Sequence, residues 1–187
     1  MKRVALLEHF LPWSEATISK ALVHSQLFQR KLLIVPRCHW AGAEADLLAV
    51  HTPSMRLLDI EIKISRADLL ADPKKDKWWH RKGWDYRTET WKEERWRTWP
   101  PKIWKHYYAM PAPIWHRGKE TLIPKLPPAS GIILLSENDS LGVWAHLARR
   151  PKANPRAPAL QSVDVMDLAR LAGLRLWDAL LKQEAQQ

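Results

Sequence analysis

The stretch LLDIEIKIS, Leu57 to Ser65, alternates apolar and charged side chains, which is the period of a strand with unlike faces. Leu58, Ile60, Ile62 and Ile64 fall on one side, and Asp59, Glu61 and Lys63 on the other. The same reading predicts the elements around it. Ser14 caps a helix running to about Gln29, with Glu15 in its first turn and Ile18, Leu22 and Phe28 among its apolar positions. KLLIVPR is a strand ended by Pro36, and EADLLAVHT pairs with RLLDIEIKIS as a hairpin about HTPSM, where Pro53 and Ser54 supply turn chemistry. SRADLLADPKK opens a second helix, since Ser65 and Asp68 have capping-box spacing; Pro73 breaks or restarts it, with Asp72 as a new cap. KHYYAMPAPI is a strand rich in aromatics, and SGIILLSEND with LGVWAHLA forms a second hairpin around ENDS. From Ser162 a stripe of Val165, Leu168, Ala169, Ala172, Leu176, Ala179 and Leu180 predicts a core-facing closing helix over about 162–183. The order is helix, three strands, helix, strand, strand pair, helix. That order is expected to give one α/β domain spanning 1–187, a mixed sheet flanked by helices.

Composition adds a partner class. The chain has 187 residues, 46% of them hydrophobic, enough for a core. Lys and Arg number 30 against 20 Asp and Glu, a formal charge of +10 that favours polyanions. Nucleic acid comes first, because no apolar run of membrane-spanning length and no basic amphipathic helix is present, so no membrane partner is expected. MKRVALLEHFLPW is too short in its apolar part for an export signal. With Cys38 as the single cysteine, no intrachain disulfide can form, and the expected compartment is cytoplasmic. Glycine-rich phosphate loops, a G-x-S-x-G elbow and an H-E-x-x-H pair are all absent. His106, beside two tyrosines, reads as a packed strand residue.

The charged face of LLDIEIKIS is the candidate chemistry. Its plain alternative is an amphipathic strand with a wet side. Against that, Asp46 lies on the other arm of the hairpin, where folding brings its carboxylate toward Glu61. Two partly buried carboxylates repel, and a divalent cation relieves the repulsion; Mg²⁺ takes one or two carboxylates plus waters and phosphate oxygens. Lys63, two residues on, could orient a water or steady charge developing on a phosphate. Asp59 shares the face and reads as solvated.

This D…E-x-K hairpin following a helix resembles the PD-(D/E)xK nuclease superfamily, whose restriction-endonuclease-like core runs helix, three strands, helix, strand. AEADLLAV, IEIKISRADLLADPKKDKW, HYYAMP and SGIILLSE look, more narrowly, like the blocks of the MmcB-type proteins associated with DNA repair, over about Glu44 to Glu137. The resemblance implies a Mg²⁺- or Mn²⁺-dependent endonuclease acting on DNA. Asp46, Glu61 and the backbone carbonyl of Ile62 would be its metal ligands and Lys63 its catalytic lysine. Ala45 stands where the superfamily has its nominal proline. For the acid that many members carry on the first helix, Glu15 is the candidate, with Glu8 and Glu44 behind it.

KWWHRKGWDYRTETWKEERWRTWPPKIW departs from that pattern, a Trp-rich basic elaboration over about 76–104 holding seven of the twelve tryptophans. Its cations could meet phosphates while indoles stack on unpaired bases. Burial in a satellite core is the alternative for most of the indoles. Trp78 and Trp79 are expected to be exposed, because adjacent helix positions do not face one core, with Lys74, Lys75, Lys77, Arg81 and Lys82 as nucleic-acid contacts around them. RRPKANPRAP reads as an extended, solvated linker. A non-cutting DNA-binding module of the same fold is the second reading, and a phage or mobile-element structural protein the third; a homodimer is left open.

Overall fold

A computed structural model describes residues 13–25, 27, 32–138 and 142–185. The elements are α1 (Glu15–His24), β1 (Leu32–Cys38), β2 (Ala45–His51), β3 (Arg56–Ile62), α2 (Arg66–Ala71), β4 (Trp79–Asp85), β5 (Thr90–Trp96), β6 (Ile103–Pro111), α3 (Ala112–His116), α4 (Lys119–Leu122), β7 (Gly131–Asn138), β8 (Gly142–Arg149) and α5 (Ser162–Glu184). Short 3-10 turns at Asp72–Lys74 and Asp76–Trp78 join α2 to β4, and a third covers Ile123–Lys125. Six strands form one mixed sheet in the order β1-β2-β3-β6-β7-β8, and β4 and β5 form a separate ribbon. The β2–β3 hairpin pairs Leu47 with Ile60 and Leu48 with Asp59. β3 and β6 run parallel, as do β6 and β7. Among the described residues no helix is long and apolar enough to cross a membrane.

Alternation along β2 and β3 divides the core. Leu47, Ala49, Leu58, Ile60 and Ile62 pack beneath Ile18 and Leu22 of α1. On the opposite face Leu48, Val50 and Leu57 join Leu168 of α5. Farther along that face, Tyr108, Met110, Ile132 and Leu134 meet Leu69, Trp115 and Leu122 of the shorter helices. Between these two apolar islands runs the row Asp59, Glu61, Lys63, all buried. The charged side of the strand is therefore dry.

Local signals place the helix starts. Ser14 accepts from the backbone of Thr17, whose hydroxyl closes the box, and Ser65 accepts from the backbone of Asp68. α1 ends at His24, short of the expected Gln29, a residue outside the described ones. Pro36 does not end β1; it sits opposite Leu47 on an edge strand, where its missing N–H costs no ladder bond. At Gly131 a Cβ would stand 2.6 Å from the Tyr107 ring, so only glycine lets β7 approach β6 this closely.

Two expectations are corrected. RRPKANPRAP is not a free linker: Lys152 donates to Ala129, Asn154 to both Trp104 and Ile103, and Leu160 to Met55, so the segment is strapped across the molecule with Ala157 and Leu160 buried. The apolar stripe of α5 is core-facing only in its first half. Leu168 is buried and Val165 and Ala172 are partly covered, whereas Leu176 is 60% exposed. A 23-residue helix is about 34 Å long. The seven-residue strand it rests on spans only about 23 Å. Accordingly, Leu168→Ala lowers stability by about 2–5 kcal/mol, while Leu176→Ala changes it by about 0.5 kcal/mol or less, as read by urea denaturation.

Candidate functional site

The site lies at the carboxyl ends of parallel β3 and β6, the position where open α/β sheets place their crevices. Continuing the hairpin register by one rung sets Asp46 opposite Glu61. The Asp46 Oδ2 atom accepts from the backbone N–H of Ile62 at 2.7 Å. Arg37, at φ +47°, faces Asp46 from β1, since Pro36 pairs with Leu47 and Cys38 with Ala45. It forms an exposed ion pair with Glu15 at 3.5 Å. Glu15, Arg37, Asp46 and Ile62 line a cavity of about 220 Å³. Glu61 is not among its lining residues.

Glu61 turns instead toward lysines. Its Oε1 atom accepts from Lys77 Nζ at 2.7 Å, and its Oε2 atom from Lys63 Nζ at 2.9 Å and Lys75 Nζ at 2.8 Å. Each ammonium also reaches a second carboxylate. Lys63 and Lys75 lie 3.0 and 3.1 Å from Asp72 Oδ1, and Lys77 lies 3.1 Å from Asp59 Oδ2. The free oxygen of Asp72 accepts from Tyr108 OH at 2.6 Å and from Trp78 Nε1 at 3.0 Å. Three acids and three ammoniums thus alternate in one buried network. Lys75 alone opens outward, its side chain 48% exposed into a cleft of about 450 Å³ shared with Lys77 and Arg97.

Burial and charge pull these groups in opposite directions. Burial raises Asp46, and repulsion from Glu61 adds to it. Burial pushes Asp59 up to about 7 in spite of Lys77. Burial also pushes Asp72 up, but Lys77, Lys63 and the Tyr108 hydroxyl outweigh this and hold it well below the usual carboxylate range. Desolvation would lower Lys63, Lys75 and Lys77, yet their carboxylate partners leave all three above the ordinary lysine value. His106 is kept neutral by burial and by Lys77; its Nδ1 atom is 2.8 Å from Ser130 Oγ.

The fold thus brings Asp46, Glu61, Lys63 and Glu15 to one end of the sheet. As placed they make no cage for a divalent ion: both oxygens of Glu61 are taken by ammoniums, and among the described residues no group of three or more His, Cys, Asp and Glu side chains is set to hold a metal. Glu44 is exposed, 4.0 Å from His39, and Glu8 lies outside the described residues.

Several side chains stand elsewhere than their sequence suggests. Trp78 is fully buried rather than exposed, and Lys77 is a buried partner of Glu61 rather than a phosphate contact. The reason is local. No helix runs through 76–82; Trp78 closes a 3-10 turn and Trp79 begins β4, so both indoles turn inward. Trp78 stacks on Trp96, and Trp79 meets Trp96 edge-on while donating to the Pro73 carbonyl. Arg81 sits over Trp79, tied to Asp76 and Glu94. Lys74 and Lys82 are exposed as expected. Asp59 is buried instead of solvated, and Asp72 anchors the network instead of capping a turn with its side chain.

No protein-family model matches the chain, and no curated protein matches it. It is similar to the solved structure of a protein of unknown function from Silicibacter pomeroyi, with a TM-score of 0.56 and 22% identity over 93% of this chain and 96% of that one. At this identity the likeness concerns the fold.

Two consequences are measurable. Glu61→Ala leaves buried ammoniums facing one another and costs about 3–5 kcal/mol of stability, read by denaturant titration. Asp59 binds its proton more tightly when folded, so its contribution is full below the unfolded carboxylate pKa and is lost as pH rises through about 7. The stability of the native chain relative to Asp59→Asn therefore falls between about pH 4 and pH 7 and levels off above. Thermal unfolding across that range reads it.

Proposed function

We propose that this chain is a DNA-binding domain built on the PD-(D/E)xK arrangement, in which lysine ammoniums take the place beside Glu61 that a divalent cation holds in the nucleases. The observation that carries this reading is the bracketing of Glu61 by Lys63, Lys75 and Lys77 at ion-pair distance. A metal ion entering between Asp46 and Glu61 has to displace at least one of these ammoniums, of which Lys63 and Lys77 are buried and held strongly by the carboxylates. The net charge of +10 favours a polyanion. Lys75, which opens into the cleft with Arg97 beside it, is placed to exchange a carboxylate for a backbone phosphate.

One observation favours a second reading, a Mg²⁺- or Mn²⁺-dependent endonuclease. Asp46 is raised by burial and by Glu61, as a carboxylate short of cations is, and it shares its cavity with Glu15. In that case Lys63 would be the catalytic lysine, and the lysine-bound state a resting one.

Incubation with duplex, nicked and single-stranded DNA in Mg²⁺ and in Mn²⁺ separates the two. The expected result is binding that weakens steeply as salt is raised from 50 to 200 mM, with no cleavage. Nicking that is abolished by EDTA and by Lys63→Ala in a folded protein establishes the nuclease instead.

A further inference from the structure

We infer that the outer face of the β4–β5 ribbon is a stacking platform for unpaired bases of single-stranded nucleic acid, with Trp84 and Trp91 as its centre. The inference rests on the DNA-binding reading above and names the form of nucleic acid it would prefer. In the ribbon register Trp79 pairs with Trp96, His80 with Arg95, Lys82 with Glu93 and Trp84 with Trp91. Cross-strand partners share a side, and sides alternate along each strand. Trp79, Arg81, Glu94 and Trp96 therefore make one face, and His80, Lys82, Trp84, Trp91, Glu93 and Arg95 make the other.

The two faces have different work. The first is engaged with the rest of the protein: Trp96, although 37% exposed, stacks on buried Trp78 at 5.7 Å, Trp79 packs against the neighbouring core, and Arg81 is held by Asp76 and Glu94. The second is uncovered. Trp84 and Trp91 meet edge to face at 5.0 Å and remain 38% and 39% exposed, although an indole is ordinarily well covered. Tyr86, at the tip of the same ribbon, is 87% exposed. An aromatic cluster kept in water on a ribbon is a surface awaiting a partner.

Charge selects that partner. On the inner face Arg81 and Lys92 are matched in number by Asp85 and Glu94, whereas the outer face carries Lys82 and Arg95, both exposed, against Glu93 alone. Cations flanking exposed indoles fit a chain of phosphates with free bases. A second copy of this chain fits less well, since a two-fold contact centred on Trp84 and Trp91 sets Lys82 and Arg95 against their own symmetry mates.

The test uses the full chain and two oligonucleotides of equal length and charge, oligo-dT and its abasic counterpart, with a duplex as control, followed by fluorescence anisotropy. The native chain is expected to bind oligo-dT at least about tenfold more tightly than the abasic strand, since each stacked base contributes about a 5- to 150-fold factor. Trp84→Ala combined with Trp91→Ala removes that preference and leaves duplex affinity within about twofold. Lys82→Glu combined with Arg95→Glu, confined to exposed side chains, weakens oligo-dT binding by at least about tenfold and serves if the tryptophan variant fails to fold. Equal affinity for the two strands, with duplex binding intact, overturns the platform alone. Failure to bind any DNA overturns the platform and the DNA-binding reading together. A concentration-dependent dimer of the native chain that is lost in the variants assigns the face to a second copy and overturns the proposal as well.

Discussion

A carboxylate without water needs positive charge, and Glu61 obtains it from three lysines. That requirement organises the centre of the molecule. Lys63 follows Glu61 along its own strand and Lys75 and Lys77 arrive on the turns after α2, so the network fastens the β3 end to the segment that leads into the ribbon. Asp72 and Asp59 then answer the second half of each ammonium, and Tyr108 and Trp78 complete Asp72. The apolar islands on either side exclude water and strengthen each of these contacts. Removing the Glu61 charge leaves buried Lys63 and Lys77 stranded at high cost.

The same contacts carry the proposed DNA-binding reading. The superfamily resemblance leads one to expect a metal between Asp46 and Glu61, and the register does place them opposite each other. The lysines meet that electrostatic demand from within the chain. Two of them come from DPKKDK, where a basic run reads as surface because lysine is seldom buried. The fully buried Lys77 is the exception, and a pair of carboxylates accounts for it.

Much of the fold is legible in the order of residues. Period-two alternation in LLDIEIKIS, the caps at Ser14 and Ser65, and the aromatic strand leading into Pro111 all rest on local rules, and the corresponding elements form. What is not legible depends on distance in space. The reach of α5 beyond the core follows from the length of its neighbour, not from its own stripe, and the strap at 150–161 follows from carbonyls on other elements. Trp78 and Trp79 mislead for a different reason. A helical period says they point apart, but a 3-10 turn handing over to a strand lets both turn inward. Farther along the same ribbon, Trp84 and Trp91 stay exposed. Asp46, Glu61 and Lys63 are legible as a set, because residue type and strand parity define it; the lysines that complete it are legible only as charge.

The claim at the centre is that ammoniums, not a divalent cation, balance Glu61. Anomalous diffraction from a crystal of the full chain soaked in Mn²⁺ addresses it directly. The account predicts no peak between Asp46 and Glu61, with the three lysine nitrogens still on the Glu61 carboxylate. A peak within about 2.6 Å of an oxygen of each acid, with Lys75 swung out into the cleft, would contradict it.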